Sequence, residues 1–263
     1  MATKQNEIVL YTNHTCTWAH RAHVALQELQ LPFKEVNINV DGPRPDWFLE
    51  INPRALVPVL FFNGKKIIES AIVCQFLADM FPSALSPPPT TVEGATRRAD
   101  MSFFIDAYWN KFHVSLFKLF EAPTKDEEEK VVEEAVTSLV AEVEPLLADA
   151  NPFWGGSEKL TLAEVRMPYY HHLTISVSSR KARSNFLKVM MGPFLLRATT
   201  LSKHGVYPQS LNNSIEEKAP NFRRWAVAVC KHPSVTSVFQ EDVIVARSKA
   251  KRSRMRQAAG LAE

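Results

Sequence analysis

The chain has 263 residues, 46% hydrophobic and 22% charged, with a formal net charge of +3. That length and apolar content suit a globular protein with a packed core, as one large or two modest domains. No apolar run approaches the roughly 18 residues of a membrane span. The first residues, with Lys4, Asn6 and Glu7, hold no apolar stretch of the kind that makes a secretory signal. The three cysteines, Cys16, Cys74 and Cys230, lie far apart. A sparse odd set argues against a disulfide framework and for a reducing, cytoplasmic compartment. The positive excess is concentrated in Arg247, Lys249, Lys251, Arg252, Arg254 and Arg256. It reads as a solvated basic tail over 247–263, with no nucleic-acid partner implied.

In chain order, Glu7–Tyr11 reads as a buried strand and Phe33–Ile38 as a second. Between them Ala19, Ala22, Ala25, Leu26 and Leu29 form a helical stripe over 17–29. A strand–helix–strand unit of this kind predicts a parallel pair. Asp41-Gly-Pro-Arg-Pro makes a stiff loop, followed by a short helix through Trp47 and Phe48. Val59–Phe62 and Lys66–Ile68, joined by Asn63-Gly64, predict a hairpin, because Asn-Gly supplies the positive φ angles of a tight turn. Ser70–Met80 is a further helix. Pro82 and Pro87-Pro88-Pro89 then break the chain and mark a domain boundary. Beyond it the pattern is helical over 97–121, 126–147, 216–231 and 233–245. The reading is a two-domain α+β protein: a βαβαββα unit over 7–86, an all-helical domain over 93–246 and the tail.

Cys16 follows the first strand within Asn13-His-Thr-Cys-Thr-Trp, at the mouth of the first helix. The helix dipole and free N–H groups there favour a thiolate, which is the nucleophilic form. A small buried hydrophobe is the alternative fate of a free cysteine, although the polar flank Asn13-His14-Thr15 does not resemble core. Cys74 and Cys230 sit in apolar helices and read as packing. Pro58 opens a strand, where a cis bond would leave the preceding N–H and C=O open to an extended peptide; taken alone, the pattern favours an ordinary edge-strand proline. Ser70 would cap its helix, or hold a carboxylate with the first-turn N–H groups.

In this order and spacing the motifs resemble the omega-class glutathione transferases and their omega-like fungal relatives. The resemblance runs through Cys16-Thr-Trp-Ala-His-Arg, Val36-Asn-Ile-Asn, Pro45-Asp-Trp-Phe, Asn52-Pro-Arg-Ala-Leu-Val-Pro-Val-Leu and Ile68-Glu-Ser-Ala-Ile. It resumes at Pro152-Phe-Trp-Gly-Gly, Leu160-Thr-Leu-Ala-Glu, Pro220-Asn-Phe-Arg-Arg-Trp and His232-Pro-Ser-Val. It implies a thioredoxin-like first domain with glutathione as co-substrate. Cys16 matches the catalytic cysteine, and Trp18 an aromatic lining the site. Arg44 stands where the family has a basic residue near the glycyl carboxylate. Val57 matches the residue whose backbone pairs with the cysteinyl unit, ahead of the cis-proline match Pro58. Glu69 and Ser70 match the residues that hold the γ-glutamyl group. Thr17 departs from the family's usual proline after the cysteine, and no second cysteine lies three residues on, so monothiol chemistry is the expectation.

Thr161-Leu-Ala-Glu164 has capping-box spacing. The apolar stripe then fails over Val165–Lys188, and family-like text returns at Met190-Met-Gly-Pro-Phe. The segment begins with Val, whose codons start GT, and ends with Lys, one of whose codons ends AG. It therefore reads as a retained intron or, alternatively, a lineage-specific surface loop. Its His171-His172 pair faces opposite sides of any regular element, and no metal site is expected. The function implied is glutathione-dependent transfer by Cys16 on a hydrophobic electrophile or glutathione adduct. A role in secondary metabolism and a homodimer follow from the resemblance. The aromatic stretch with Phe103, Phe104, Tyr108, Trp109 and Phe112 would line the second-substrate pocket or form an ordinary core helix, and one face can pack while another lines a cleft. A non-catalytic glutathione-fold binding or regulatory protein is the alternative.

Overall fold

The computed structural model describes residues 6–165, 191–258 and 260. The first domain is β1 (Ile8–Thr12), α1 (Thr17–Glu28), β2 (Lys34–Asn37), α2 (Asp46–Ile51), β3 (Val59–Phe62), β4 (Lys65–Ile68) and α3 (Ser70–Met80). The sheet order is β2-β1-β3-β4, with β1 and β2 parallel and the other pairs antiparallel. Asn63 and Gly64 take φ of +49° and +79°, as the tight β3–β4 turn requires. Ala19, Ala22 and Ala25 are fully buried, so α1 is packed tightly into the domain. Ile8, Leu10 and Thr12 alternate inward along β1.

The linker is held at both ends. Leu85 is buried and its carbonyl accepts Leu162 N–H at 2.6 Å. Thr91 caps α4 (Val92–Ala107) by accepting Gly94 N–H at 3.0 Å. A Cβ at position 94 would lie 1.9 Å from the Pro88 carbonyl oxygen, so only glycine fits beneath the proline run.

From α4 the chain passes through a π-helical turn (Tyr108–His113) into α5 (Val114–Lys118), then α6 (Lys125–Glu142). Asp126, Glu127 and Glu128 in the first turn of α6 complement its dipole, and Thr124 caps it. Then come α7 (Leu162–Val165), α8 (Met191–Lys203), α9 (Gln209–Lys218), α10 (Pro220–Lys231), α11 (Pro233–Thr236) and α12 (Glu241–Ala258). Sequence periodicity ran α9 and α10 together; Pro220 at the first position of α10 separates them.

Residues 166–188 of the expected insertion lie outside the described residues. Its first residue, Val165, is buried in α7. On the far side Met191 is equally buried, and a Cβ on Gly192 would sit 3.3 Å from the Glu164 carbonyl. The two flanks of the segment therefore meet in the core.

The capping box forms and goes further than its motif. Glu164 is completely buried and its carboxylate accepts four hydrogen bonds. Oε2 takes Thr161 N–H and Oγ1–H, both at 2.8 Å, and Oε1 takes Trp154 N–H and the Trp225 indole N–H, both at 2.9 Å. The Trp225 ring packs edge-on against Phe104 at 5.5 Å, so this carboxylate organises the aromatic core of the domain. Removing it orphans several buried donors at once. Glu164→Ala should lower unfolding stability by at least about 3 kcal/mol in urea titrations. Glu127→Ala, on the exposed first turn of α6, should cost less than about 1 kcal/mol. Equal losses in the two variants would show that the buried carboxylate is not the organising contact.

Candidate functional site

Cys16 is the N-cap of α1, with φ −79° and ψ 117°, and its side chain makes no capping bond to the helix. The half-buried thiol therefore sits beside first-turn N–H groups that no side-chain cap occupies. Its own N–H donates to Asn13 C=O at 3.0 Å, and its carbonyl accepts His20 N–H at 3.0 Å. Asn13 braces the loop: Oδ1 accepts Thr15 N–H at 3.0 Å and Thr15 Oγ1–H at 2.6 Å, while Nδ2 donates to Ile38 C=O at 2.9 Å.

The helical domain holds the same loop from above. Arg197 of α8 is buried and donates to Pro193 C=O at 2.9 Å, His20 Nδ1 at 3.1 Å and Thr15 C=O at 3.4 Å. A guanidinium only donates, so His20 Nδ1 accepts and the imidazole is neutral. Burial, and next the Arg197 charge, hold His20 well below the ordinary histidine range. Arg247 of α12 donates to Thr15 Oγ1 and pairs with Asp41. Residues 247–258, read from the sequence as a basic tail, are thus the second part of a docked helix. Arg252 pairs with Glu128, and Arg256 donates to Ala122 C=O at 2.9 Å and Pro123 C=O at 3.1 Å. These acceptors come from far along the chain, which is why the docking is invisible in local pattern.

Two buried arginines lie within Coulombic range of Cys16. Burial lowers Arg21 to about 9, opposed first by Cys74, then by Cys16 and Glu69. Burial lowers Arg197 to about 10, opposed by Cys16. Arg21 was not singled out from sequence. The signal was its position three residues after Trp18, on a face that turns inward. Its Nη1 donates to Ser70 Oγ at 2.7 Å, which leaves the Ser70 proton to be donated elsewhere. Its guanidinium lies 5.0 Å from the Trp18 ring centroid.

The remaining candidate residues surround this core. Cys16 packs against a small cluster of Ala19, Ile38, Phe48, Val57 and Val59. The Val57–Pro58 bond is cis, and neither the N–H nor the C=O of Val57 has a hydrogen-bond partner among the described residues. Glu69 takes φ +71°, a left-handed conformation costly for a non-glycine residue, and pairs with Arg54 at 2.6 Å. Arg44 is half-buried beside its own loop. It donates to Ala55 C=O at 3.0 Å, Asn39 C=O at 3.0 Å and Gly42 C=O at 2.7 Å, which fixes the 39–45 loop and leaves Nη2 free among the described residues.

The aromatic stretch of α4 is mostly core. Phe104, Tyr108 and Phe112 are buried, with Tyr108 stacked on Phe222 at 6.2 Å, whereas Phe103 is 60% exposed. Among the described residues, Trp109 meets Phe194 directly at 6.0 Å, and Phe194 in turn meets Trp18 at 5.4 Å. A hollow of about 350 Å³ lined by Lys118, Glu121, Pro123, Lys130 and Glu134 includes no residue of the Cys16 site.

The first domain thus combines a four-stranded sheet with a cysteine at the N-cap of α1, a cis-proline ahead of β3 and a serine opening α3. Residues 15–80 match the family of the glutathione S-transferase N-terminal domain. Rat glutathione S-transferase omega-1 is 26% identical over 171 residues, 64% of this chain and 68% of the relative. The Arabidopsis thaliana glutathione S-transferase DHAR2 is 29% identical over 168 residues, 63% of this chain and 70% of the relative. The crystal structure of glutathione transferase Omega 1C from Trametes versicolor shares the fold at 22% identity, with a TM-score of 0.71 over 95% of this chain and 98% of that one. Residues 15–80 thus carry the pattern of a glutathione S-transferase N-terminal domain, and the relatives and solved structures that the chain resembles include omega-class glutathione transferases.

The three thiols differ in environment. Cys74 is fully buried, and burial pushes the Cys230 thiol up to about 11. Limiting iodoacetamide at neutral pH should therefore label Cys16 before the other two, read by peptide mass spectrometry. Faster labelling of Cys74 or Cys230 would contradict this assignment.

Proposed function

We propose that this chain is a glutathione transferase that binds the tripeptide across the first domain and uses Cys16 for thiol transfer. The observation that carries the reading is Cys16 at an uncapped helix N-terminus, within Coulombic range of buried Arg21 and Arg197 and packed against the cluster that includes Val57. Val57 offers a free N–H and C=O to the cysteinyl backbone. Ser70, whose oxygen already accepts from Arg21, donates its proton to the γ-glutamyl carboxylate, and Glu69 meets the amino group. Arg44 offers its remaining nitrogen to the glycyl carboxylate. Trp18, with Phe194 beside it, forms the apolar wall toward a hydrophobic second substrate.

The transfer is monothiol. The Cys16 thiolate attacks the sulfur of a glutathione mixed disulfide that carries the glutathionyl group. A Cys16–glutathione disulfide forms and the second thiol leaves as its thiolate. A glutathione thiolate then attacks the Cys16 adduct, releasing oxidised glutathione and restoring the Cys16 thiolate. A hydrophobic electrophile, a homodimer, a cytoplasmic setting and a place in secondary metabolism complete the proposal.

Incubation with oxidised glutathione should give a single mixed disulfide on Cys16, absent in Cys16→Ser, by intact-mass and peptide analysis. No adduct, or an adduct on another cysteine, would overturn the mechanism. Glu69→Gln should weaken glutathione binding about 10- to 100-fold by calorimetry. Its unfolding midpoint should barely change, because its Arg54 partner is largely exposed. Unchanged affinity would remove Glu69 from the site.

A further inference from the structure

Three side chains on the edge of the first domain form a cluster that the thiol chemistry does not use. His14 lies in the β1–α1 loop, His23 on α1 and Glu35 on β2. One nitrogen from each imidazole and one carboxylate oxygen all lie within 4.8 Å of one another. The fold brings them together for simple reasons. Thr12 is the last inward residue of β1, and its Oγ1 meets His23 Nε2 at 2.9 Å. Glu35 is in parallel register with Leu10, so it shares the sheet face on which Thr12 and His23 meet. His14, two residues past Thr12, closes the third side with its ring 5.2 Å from that of His23.

One nitrogen in this cluster is buried with no hydrogen-bond partner among the described residues, and a second meets only the Glu35 carboxylate. His23 is 1% exposed, and its Nδ1 has no hydrogen-bond partner among the described residues. It points into the cluster, 4.0 Å from Glu35 Oε2. His14 Nε2 is 2.6 Å from Glu35 Oε1 yet makes no hydrogen bond of acceptable geometry. Buried polar atoms in folded proteins are nearly always satisfied, so the orphaned His23 nitrogen facing this carboxylate calls for a partner. Thr12 orients the His23 ring: with Nε2–H donated to Thr12 Oγ1, the Nδ1 lone pair faces Glu35 and His14. A ligating imidazole is typically held in this way by its other nitrogen.

We propose that His14 Nε2, His23 Nδ1 and a Glu35 carboxylate oxygen form a binding site for a divalent cation of the zinc class. Two imidazoles and one carboxylate are a borderline donor set that suits zinc, and bonds of about 2.0–2.2 Å are typical for it. Tetrahedral ligands at that range stand roughly 3.3 Å apart, a separation these atoms reach by small side-chain rotations. His14 and Glu35 are each about one-third exposed, so the metal has an entry path, and solvent supplies the fourth ligand. The role is structural. The ion ties the β1–α1 loop to α1 and β2, and that loop seats Cys16 two residues further on. The proposal stands independently of any glutathione chemistry.

The test uses untagged full-length protein and cobalt(II) alone as the probe, followed by competition with zinc. One equivalent of cobalt should produce the intense visible d–d bands of a tetrahedral site, and zinc should displace it stoichiometrically. Glu35→Gln and His14→Asn, both at partly exposed positions, should weaken binding at least about tenfold, and Thr12→Val should weaken it through loss of the second-layer contact. Cys16→Ser should leave the bands intact. Folding of every variant is checked by circular dichroism, and the Thr12 variant serves as the independent arm if either ligand variant fails to fold. The proposal is overturned by no binding at equimolar tens of micromolar, which would leave a His14–Glu35 ion pair only. It is equally overturned if the bands survive Glu35→Gln or vanish with Cys16→Ser, which would place the metal on the thiol.

Discussion

The Arg197 guanidinium is the constraint on which the site depends. A cation withdrawn from water must find acceptors in the protein. Arg197 finds one on its own helix, the Pro193 carbonyl, and two on the other domain, His20 and the Thr15 carbonyl. The helical domain can therefore bury this charge only when it is docked on the loop that carries Cys16. Domain docking and the seating of the thiol are one event, and the charge that fastens them lies within electrostatic reach of the sulfur.

The α1 helix distributes that constraint through the first domain. Its N-cap is Cys16, its Trp18 ring meets Phe194 of α8, its His20 accepts from Arg197 and its Arg21 holds Ser70. Three buried alanines on the same helix let it settle close against its neighbours, which brings the Ser70 end of α3 within reach of Arg21. One short helix thus carries the thiol at its N-cap, the brace on Ser70 and the contact to the second domain. The C-terminal helix adds a further clamp, because Arg247 reaches Thr15 and Asp41 while Arg252 and Arg256 anchor the helix to the second domain.

The helical domain has its own fixed point in Glu164. A buried carboxylate with four donors is stable because every oxygen lone pair it turns inward is matched. Two of those donors are the Trp154 backbone and the Trp225 ring, so the same group sets the position of the aromatic core. Phe104 packs on both tryptophan rings, at 6.0 Å and 5.5 Å, and Tyr108 stacks on Phe222. An aromatic row that suggests a substrate pocket in sequence is largely consumed by this packing, and Trp109 meets Phe194.

The sequence by itself determined whatever is set within a few residues. The β1–α1–β2 unit, the Asn63-Gly64 hairpin, the break at Pro87–Pro89 and the Thr161–Glu164 box rest on side-chain periodicity, positive φ and capping, all local physics. The placement of Cys16 at a helix mouth was legible for the same reason. Tertiary structure alone decided the fate of the charges. Arg21, Arg197 and Arg247 look like solvated surface in sequence, because the Ser70 hydroxyl, His20 and Thr15 that receive them lie far along the chain. The meeting of His14, His23 and Glu35 was likewise unreadable, since it depends on strand register between β1 and β2 and not on spacing along the chain. Local pattern fixes which backbone elements form; long-range docking fixes which polar groups lose their water, and the chemistry of this protein is built from those groups.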